Sequence, residues 1–283
     1  MKIAKDKYMP NPEIKYSMLI DDSGNNAYMN RVMIGTPVTG LVRIEWVMGR
    51  YNQAIPPNWS VVTWQSWITS YNPLRYQVAD AQNLIVQRCV QSDFQWLLLI
   101  EHDNVLPPDA FIRFNEWIQR ADTPVVSGLY YTRAQPSEPL VFRGRGNSTF
   151  RDFKMGDLVW ADAVPTGTLL IHAGILKEMY NESPEYLAQG VVARRVFVAP
   201  STAMMDQRGD YHLAAGTSDI SWCDRVMNGD YMRKAGWYDF MDEHGELPFL
   251  VDTNIFCTHI EQDGMQYPPD HQELRMQLTA RRT

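Results

Sequence analysis

A strongly apolar segment that ends abruptly in acidic residues is the feature of this sequence that most suggests chemistry. Residues 96–100 are Trp, Leu, Leu, Leu and Ile, and Glu101, His102 and Asp103 follow at once. In an open α/β sheet the ligand crevice lies beyond the carboxyl ends of the strands, so we expect both carboxylates to face it. Two carboxylates at i and i+2 suit a hard divalent cation, which can bridge the diphosphate of a nucleotide. The alternative is an acid that only caps the next helix.

Composition and charge exclude several other classes of protein. The chain has 283 residues, 45% of them hydrophobic, and 26 basic against 33 acidic residues give a net charge of −7. Bulk disorder and phosphate-driven binding of duplex nucleic acid are therefore not expected. Cys89, Cys223 and Cys257 lack the spacing of a disulfide framework or a zinc site, which favours a reducing, cytoplasmic setting. No signal peptide or membrane-spanning segment is expected, because no apolar run approaches ~20 residues.

The first half of the chain alternates short apolar segments with amphipathic ones. We predict strands at 31–37, 60–67, 94–100 and 124–131 and helices at 78–90 and 106–119. This order is typical of parallel strands joined by right-handed crossovers. A further helix is predicted after Pro37, with Leu41, Ile44, Val47 and Met48 on its apolar face.

The second half is richer in Pro, Gly and Ser, which predicts a mixed, partly antiparallel arrangement. Strands are expected at 139–142, 158–163, 164–171 and 249–257, helices at 175–180 and 220–235, and a loop region within 181–217. The predicted organisation is an N-terminal extension at 1–30, one domain at 31–262 and a polar tail at 263–283. The domain divides into two halves at 31–105 and 106–262.

The order of these motifs resembles the glycosyltransferases of the A-type fold (GT-A), especially family 2. In that family a DxD motif follows an apolar strand and precedes a helix, as Glu101-His102-Asp103 does before Leu106-Pro107-Pro108. The resemblance implies a Rossmann-like, open, twisted and mostly parallel sheet flanked by helices. It assigns nucleotide-sugar binding to residues 31–105 and a mixed, antiparallel acceptor and catalytic half to residues 106–262. It also makes Asp103 a metal ligand and places Glu101 near the ribose or in the metal site.

Other matches to the family carry further roles onto this sequence. Thr36 and Pro37 end the first strand, where the nucleotide base binds. Ala81-Gln82-Asn83 lies where an Arg-Asn pair is common, and Asp80 and Asn83 are the expected binding residues there. Gln82 replaces that arginine. Gly167 resembles the glycine that lets the backbone approach the sugar, the alternative being a β-bulge. Arg133 is expected to contact the diphosphate, the alternative being an ordinary surface arginine.

Two more residues complete the site that the resemblance implies. Asp219 is the expected general base for the acceptor hydroxyl, and a helix N-terminus there favours its ionised form. The alternative for Asp219 is a helix cap. His259, at the end of the last strand, is the expected third metal ligand beside Asp103 and Glu101, and its imidazole favours Mn²⁺ over Mg²⁺. An ordinary, partly exposed histidine is the alternative.

The sequence therefore predicts a metal-dependent glycosyltransferase. It would move a sugar from a nucleoside-diphosphate sugar, UDP rather than GDP, to a hydroxyl of a glycan, protein or small molecule, with inversion. A retaining enzyme of the same fold and a non-catalytic nucleotide-sugar-binding module stay open as alternatives. A sugar nucleotidyltransferase is disfavoured, because residues 35–41 lack the glycine density and the basic residue that a triphosphate loop needs. The oligomeric state is left open.

Overall fold

A mixed six-stranded sheet forms the centre of the protein. The structure is a computed structural model that describes residues 32–59, 71–144, 148–205 and 211–282. In the order of the sheet, the strands are β1 (Val32–Gly35), β2 (Trp96–Ile100), β8 (Thr168–His172), β4 (Val125–Leu129), β13 (Phe249–Phe256) and β7 (Leu158–Ala161). Strands β1, β2, β4 and β8 are buried along their whole length, as expected for strands covered on both faces.

Helices and smaller sheets surround this centre. The helices are α1 (Ile44–Tyr51), α2 (Val78–Gln91), α3 (Ala110–Arg120), α4 (Ala173–Glu182), α5 (Ser218–Asn228), α6 (Tyr231–Lys234), α7 (Tyr238–His244) and α8 (His271–Arg282). A three-stranded sheet joins β3 (Asn104–Val105), β14 (Thr258–Ile260) and β15 (Gln266–Tyr267). Three two-stranded pairs are formed by β5 (Phe142–Arg143) with β6 (Ser148–Thr149), β9 (Glu185–Ala188) with β10 (Val191–Arg194), and β11 (Ser201–Met205) with β12 (Tyr211–Ala215).

The sheet separates two hydrophobic clusters. Because side chains alternate along a strand, Leu97 and Leu99 of β2 enter one cluster while Trp96, Leu98 and Ile100 enter the other. Helices α2, α4 and α5 cover the first cluster, and α3 covers the second. The protein is thus α/β, with helices on both faces of a buried sheet.

The expectation of a mostly parallel sheet is wrong. Strands β1 and β2 are parallel, as are β4 and β13, but the other pairings in this sheet are antiparallel. The cause is β8, which inserts antiparallel between β2 and β4. The alternation of strands and helices along the chain predicts that β2 and β4 are neighbours. It does not predict that β8, which comes later in the chain, pairs between them.

Other predicted elements shift, divide or lie outside the described residues. The extension at 1–30 and the strand at 60–67 lie outside them. The helix predicted at 106–119 begins at Ala110, and the helix predicted at 220–235 is interrupted between Asn228 and Tyr231. The region 181–217, expected to be a loop, contains β9 to β12, and the tail at 263–283 contains β15 and α8.

Helix α1 presents the opposite face from the one predicted. Leu41, Ile44 and Met48 are exposed, whereas Trp46 and Arg50 are buried. Trp46 donates from Nε1 to the carbonyl oxygen of Glu101 at 3.0 Å, so the buried face of α1 supports the end of β2. The periodicity of apolar residues could not distinguish the buried from the exposed face of α1, because Trp46 lies on the side of the helix that is otherwise polar.

Among the described residues, no helix is both long and apolar enough to cross a membrane.

The reversed face of α1 predicts opposite outcomes for two substitutions. Trp46→Ala removes a side chain that is 5% exposed and should lower the free energy of unfolding by about 3–5 kcal/mol. Met48→Glu, at a side chain that is 63% exposed, should change it by less than about 0.5 kcal/mol. Urea denaturation of both variants checks this. Equal losses in the two variants would contradict the orientation of α1.

Candidate functional site

The end of β2 is held in place by main-chain contacts on both sides. The amide of Glu101 donates to the carbonyl of Gly167 at 2.8 Å, and the amide of Ile260 donates to the carbonyl of Asp103 at 2.8 Å. Together with the bond from Trp46, these contacts leave the acidic segment little freedom. The carboxylates of Glu101 and Asp103 are therefore positioned by backbone rather than by a mobile loop.

Asp103 and His259 lie side by side although they are far apart in the chain. Strand β14 leaves the main sheet after Cys257 and pairs with β3, which sets His259 opposite Asn104. As a result, Nε2 of His259 lies 3.4 Å from Oδ2 of Asp103. The pairing of β14 with β3 thus brings the two predicted metal ligands together.

The hydrogen bonding of His259 fixes the role of each ring nitrogen. Nδ1 lies 2.8 Å from the carbonyl oxygen of Tyr131, and a carbonyl can only accept, so Nδ1 carries the hydrogen. In the neutral ring, Nε2 then directs its lone pair towards Asp103. Nε2 of His259 and Oδ1 of Asp103 are both buried and without a hydrogen-bond partner among the described residues. A proton or a cation would satisfy them, and a histidine that donates its other N–H to a carbonyl is the usual arrangement of a metal ligand.

Arg133 supplies the positive charge closest to Asp103. Its Nη1 donates to Oδ2 of Asp103 at 3.1 Å, and its Nε lies 3.6 Å from Oε1 of Glu261. Burial opposes ionisation of Asp103, but contact with His259 and the charges of His259 and Arg133 outweigh it and lower its pKa. Asp103 is therefore an anion at neutral pH. The guanidinium of Arg133, 40% exposed, keeps part of its donor edge open to solvent.

Glu101 is held by a chain of buried hydrogen bonds. Oγ of Ser218 donates to Oε1 of Gln82 at 2.9 Å, and Nε2 of Gln82 donates to Oγ1 of Thr166 at 2.9 Å. Oγ1 of Thr166 then donates to Oε1 of Glu101 at 3.2 Å. Every donor points towards the carboxyl group, so this chain links the start of α5 and the middle of α2 to the end of β2. Gln82 thus makes its hydrogen bonds inside the protein. In the glycosyltransferases that the sequence resembles, an arginine at this position would face a ligand.

The pKa of Glu101 is shifted strongly by its surroundings. Burial, followed by the negative charges of Asp103 and Asp219, raises its pKa from the ordinary 4.5 to about 8. The hydrogen bond from Thr166 and the charge of Arg133 only partly oppose this shift. At neutral pH, Glu101 therefore holds a proton for most of the time when no cation is nearby.

Asp219 belongs to the same cluster of charges. It lies in the first turn of α5, where its Oδ1 accepts from the amide of Ile220 at 2.8 Å. Its charge contributes to the raised pKa of Glu101 and also to that of Tyr130, whose first cause is burial. The structure thus brings the predicted base to the same edge of the sheet as the predicted metal ligands.

Gly167 is required by the protein's own packing. A Cβ atom there would lie 2.2 Å from Oη of Tyr130 and 2.3 Å from Nδ2 of Asn104. The amide of Gly167 donates to that hydroxyl at 2.7 Å. The close approach predicted at this glycine therefore involves Tyr130 and Asn104, and no β-bulge is needed to explain it.

The remaining predicted binding residues have other contacts. Asn83 bonds both the amide and the carbonyl of Phe197, at 2.7 and 2.9 Å, and Asp80 accepts from Oη of Tyr186 at 2.7 Å. These bonds fasten β9 and the segment after β10 to α2. Thr36 and Pro37 are buried after β1, and Oγ1 of Thr36 has no hydrogen-bond partner among the described residues.

No three His, Cys, Asp or Glu side chains converge as a metal-binding group in the described part of the chain. Asp103 and His259 form a pair, and Glu101 turns instead to Thr166. Cys89, Cys223 and Cys257 are buried free thiols. A pair of protein ligands is the usual number where substrate phosphates complete the coordination of a cation.

Sequence reasoning missed two groups at this site. Asn104 is fully buried, and neither atom of its side-chain amide has a hydrogen-bond partner among the described residues. Thr166 lies within the segment that the glycine match singled out, but its contact with Glu101 depends on the turn before β8. The sequence signal for Asn104 was its position, as a polar residue that directly follows the acidic residues at the end of a predicted strand.

Comparisons with known proteins do not assign this chain to a family. No family model matches it, and no curated protein matches its sequence. Among solved structures, A197 from STIV matches with 12% identity and a TM-score of 0.48, covering 85% of this chain and 91% of that one. Two structures of mutant UDP-glucose pyrophosphorylase from Leishmania major, bound to the UDP-sugar, match with 7% and 10% identity and TM-scores of 0.29. Each covers 70% of this chain and 61% of that one.

The raised pKa of Glu101 predicts a specific dependence of stability on pH. The folded state retains a proton that the unfolded state loses, so this contribution is complete below pH ~4.5 and is lost as the pH rises through about 8. Relative to Glu101→Gln, the wild type should lose at least ~1 kcal/mol of unfolding free energy between pH ~5 and ~9. Urea denaturation with a chelator present measures this. Glu116→Gln, an exposed change on α3, is the control, and an equally flat difference for both variants would contradict the shift.

Proposed function

We propose that this protein is a metal-dependent glycosyltransferase of the A-type fold. It would transfer a sugar from a nucleoside-diphosphate sugar, UDP rather than GDP, to a hydroxyl acceptor with inversion. The contact between Asp103 and His259 carries the proposal. His259 is buried and Asp103 is largely so, Nε2 of His259 and Oδ1 of Asp103 have no hydrogen-bond partner among the described residues, and both side chains lie where the ligand crevice of an α/β sheet is expected.

The residues present fit a divalent cation, Mn²⁺ or Mg²⁺. Asp103 would supply an anionic oxygen and His259 a neutral nitrogen, with Tyr131 holding the ring in the required tautomer. When bound, such a cation offsets the charge that develops on a leaving diphosphate. A nitrogen ligand favours Mn²⁺. Glu101 lies next to this pair and accepts a hydrogen bond from Thr166.

Arg133 and Asp219 would act on opposite sides of the transferred sugar. The half-exposed guanidinium of Arg133 has donors for diphosphate oxygens, and its pairing with Asp103 keeps it beside the cation site. Asp219 would accept the proton of the acceptor hydroxyl as its oxygen attacks the anomeric carbon and the diphosphate leaves. Asp219 lies in the first turn of α5, where its Oδ1 also accepts from the amide of Ile220.

The two alternatives differ from this proposal in measurable ways. A non-catalytic module would bind the nucleotide-sugar with Mn²⁺ but release no nucleoside diphosphate. A retaining enzyme would give product with the donor's anomeric configuration. Nuclear magnetic resonance of the reaction product, together with an assay for released UDP, distinguishes all three.

Asp103→Asn should abolish Mn²⁺-dependent binding of UDP, because the anionic ligand is lost while the folded chain persists. His259→Ala should weaken that binding less, since a neutral ligand holds a divalent ion less strongly beside a charged diphosphate. Isothermal titration of UDP with and without Mn²⁺ gives both affinities. Asp122→Asn, at an exposed carboxylate paired with Arg120, is the matched control. Unchanged Mn²⁺-dependent binding in folded Asp103→Asn would reject the metal assignment.

Asp219→Asn should leave Mn²⁺ and UDP binding intact and lower turnover by ~10²–10⁴-fold, the usual contribution of a general base. The amide oxygen can still accept from Ile220, so helix α5 should persist. Steady-state kinetics and UDP titration together measure the two effects. Asp224→Asn, one turn further along α5 and exposed, should leave both unchanged. Full turnover in Asp219→Asn would reduce the residue to a helix cap.

A further inference from the structure

A cavity separate from the candidate site lies directly behind that site, beneath the C-terminal helix α8. It is open to solvent and has a volume of about 650 Å³, within the ~300–1,000 Å³ usual for small-molecule sites. Tyr130 and Tyr131 follow β4 in extended backbone, so their side chains point in opposite directions. Tyr130 contacts Gly167 at the candidate site, whereas the ring of Tyr131 lines this cavity.

The walls of the cavity are mainly apolar. They are formed by Tyr131, Pro139, Phe153, Met155, Leu274 and Ala280. Phe153 and Leu274 also pack against the hydrophobic cluster that α2, α4 and α5 cover. The cavity is therefore built on a rigid part of the fold.

Three cations contribute to the lining, and all three are exposed. Arg151 pairs with Glu138, and Arg281 pairs with Asp157 at 3.0 Å. Lys154 forms no ion pair with another residue of the described chain, although its charge helps to lower the pKa of Asp157, so three cations stand against the two carboxylates of Glu138 and Asp157 at this rim. An apolar interior with a cationic rim matches a ligand that has one apolar chain and one anionic head.

We propose that this cavity is a binding site for a single-chain amphipathic anion, a phosphate or carboxylate with an apolar tail. The tail would lie between Phe153 of the cavity floor and Leu274 of α8, and the head would bind Lys154 with Arg151 and Arg281 nearby. The volume suits one chain and not a bilayer surface. The site is separate from the carboxylates that the proposed transfer reaction uses, so it stands or falls independently of that reaction.

Decyl phosphate is a suitable probe, titrated into the full chain by calorimetry below its micelle-forming concentration. We expect saturable 1:1 binding, with decanol and inorganic phosphate each at least ~10-fold weaker, because each lacks one half of the match. Lys154→Glu should weaken decyl phosphate at least ~10-fold. Ala280→Trp, a change at the exposed end of α8, should fill the cavity and abolish binding.

The control is Lys177→Glu, the same charge reversal at an exposed lysine of α4 away from the cavity. It should change the affinity by less than ~2-fold. Circular dichroism confirms that each variant is folded. Equal affinities for wild type, Lys154→Glu and Ala280→Trp would overturn the proposal, as would absence of decyl phosphate binding to the wild type. Co-sedimentation with phosphatidic acid vesicles in the absence of monomer binding would overturn it equally.

Discussion

The burial of Glu101 beside two other acidic groups, at one edge of the sheet, is the constraint on which the site depends. Burial raises the pKa of Glu101, and the negative charges of Asp103 and Asp219 raise it further. Arg133 and His259 offset only part of this charge. The proton held by Glu101 reduces the remaining negative charge, and a bound divalent cation would neutralise that charge instead. In the proposed function, this concentration of negative charge is what would attract a cation to this edge of the sheet.

The surrounding structure holds this strained arrangement by directed hydrogen bonds. Backbone contacts from Gly167 and Ile260 fix the segment after β2. A chain of hydrogen bonds runs from Ser218 of α5 through Gln82 of α2 and Thr166 to Glu101. A buried polar chain with every donor satisfied stabilises one geometry, whereas a partly satisfied chain would be costly. The fully buried position of Gln82 shows why an amide suits it, since an unpaired arginine there would leave a charge without solvent.

The sequence predicted those parts of the fold whose signal is local. The apolar segment before Glu101 is a buried strand, the helix predicted at 78–90 is observed as Val78–Gln91, and the α/β class is confirmed. The insertion of β8 and the departure of β14 from the main sheet depend on pairing between distant segments, which no local pattern encodes. At the site, the resemblance selected Asp103 and His259, which are in contact. It could not predict the contacts of Gln82 or Asn104, because a buried amide inside a helix or a short strand resembles an ordinary polar surface residue.

Anomalous scattering at the manganese absorption edge, from crystals grown with MnCl₂ and UDP, tests the central claim most directly. The account predicts one strong peak within ~2.5 Å of both a carboxylate oxygen of Asp103 and Nε2 of His259, with the diphosphate completing the coordination. It further predicts that the peak is lost in crystals of Asp103→Asn grown in the same way. A manganese ion bound elsewhere, or UDP bound at this edge of the sheet with no ion between it and Asp103, would contradict the account.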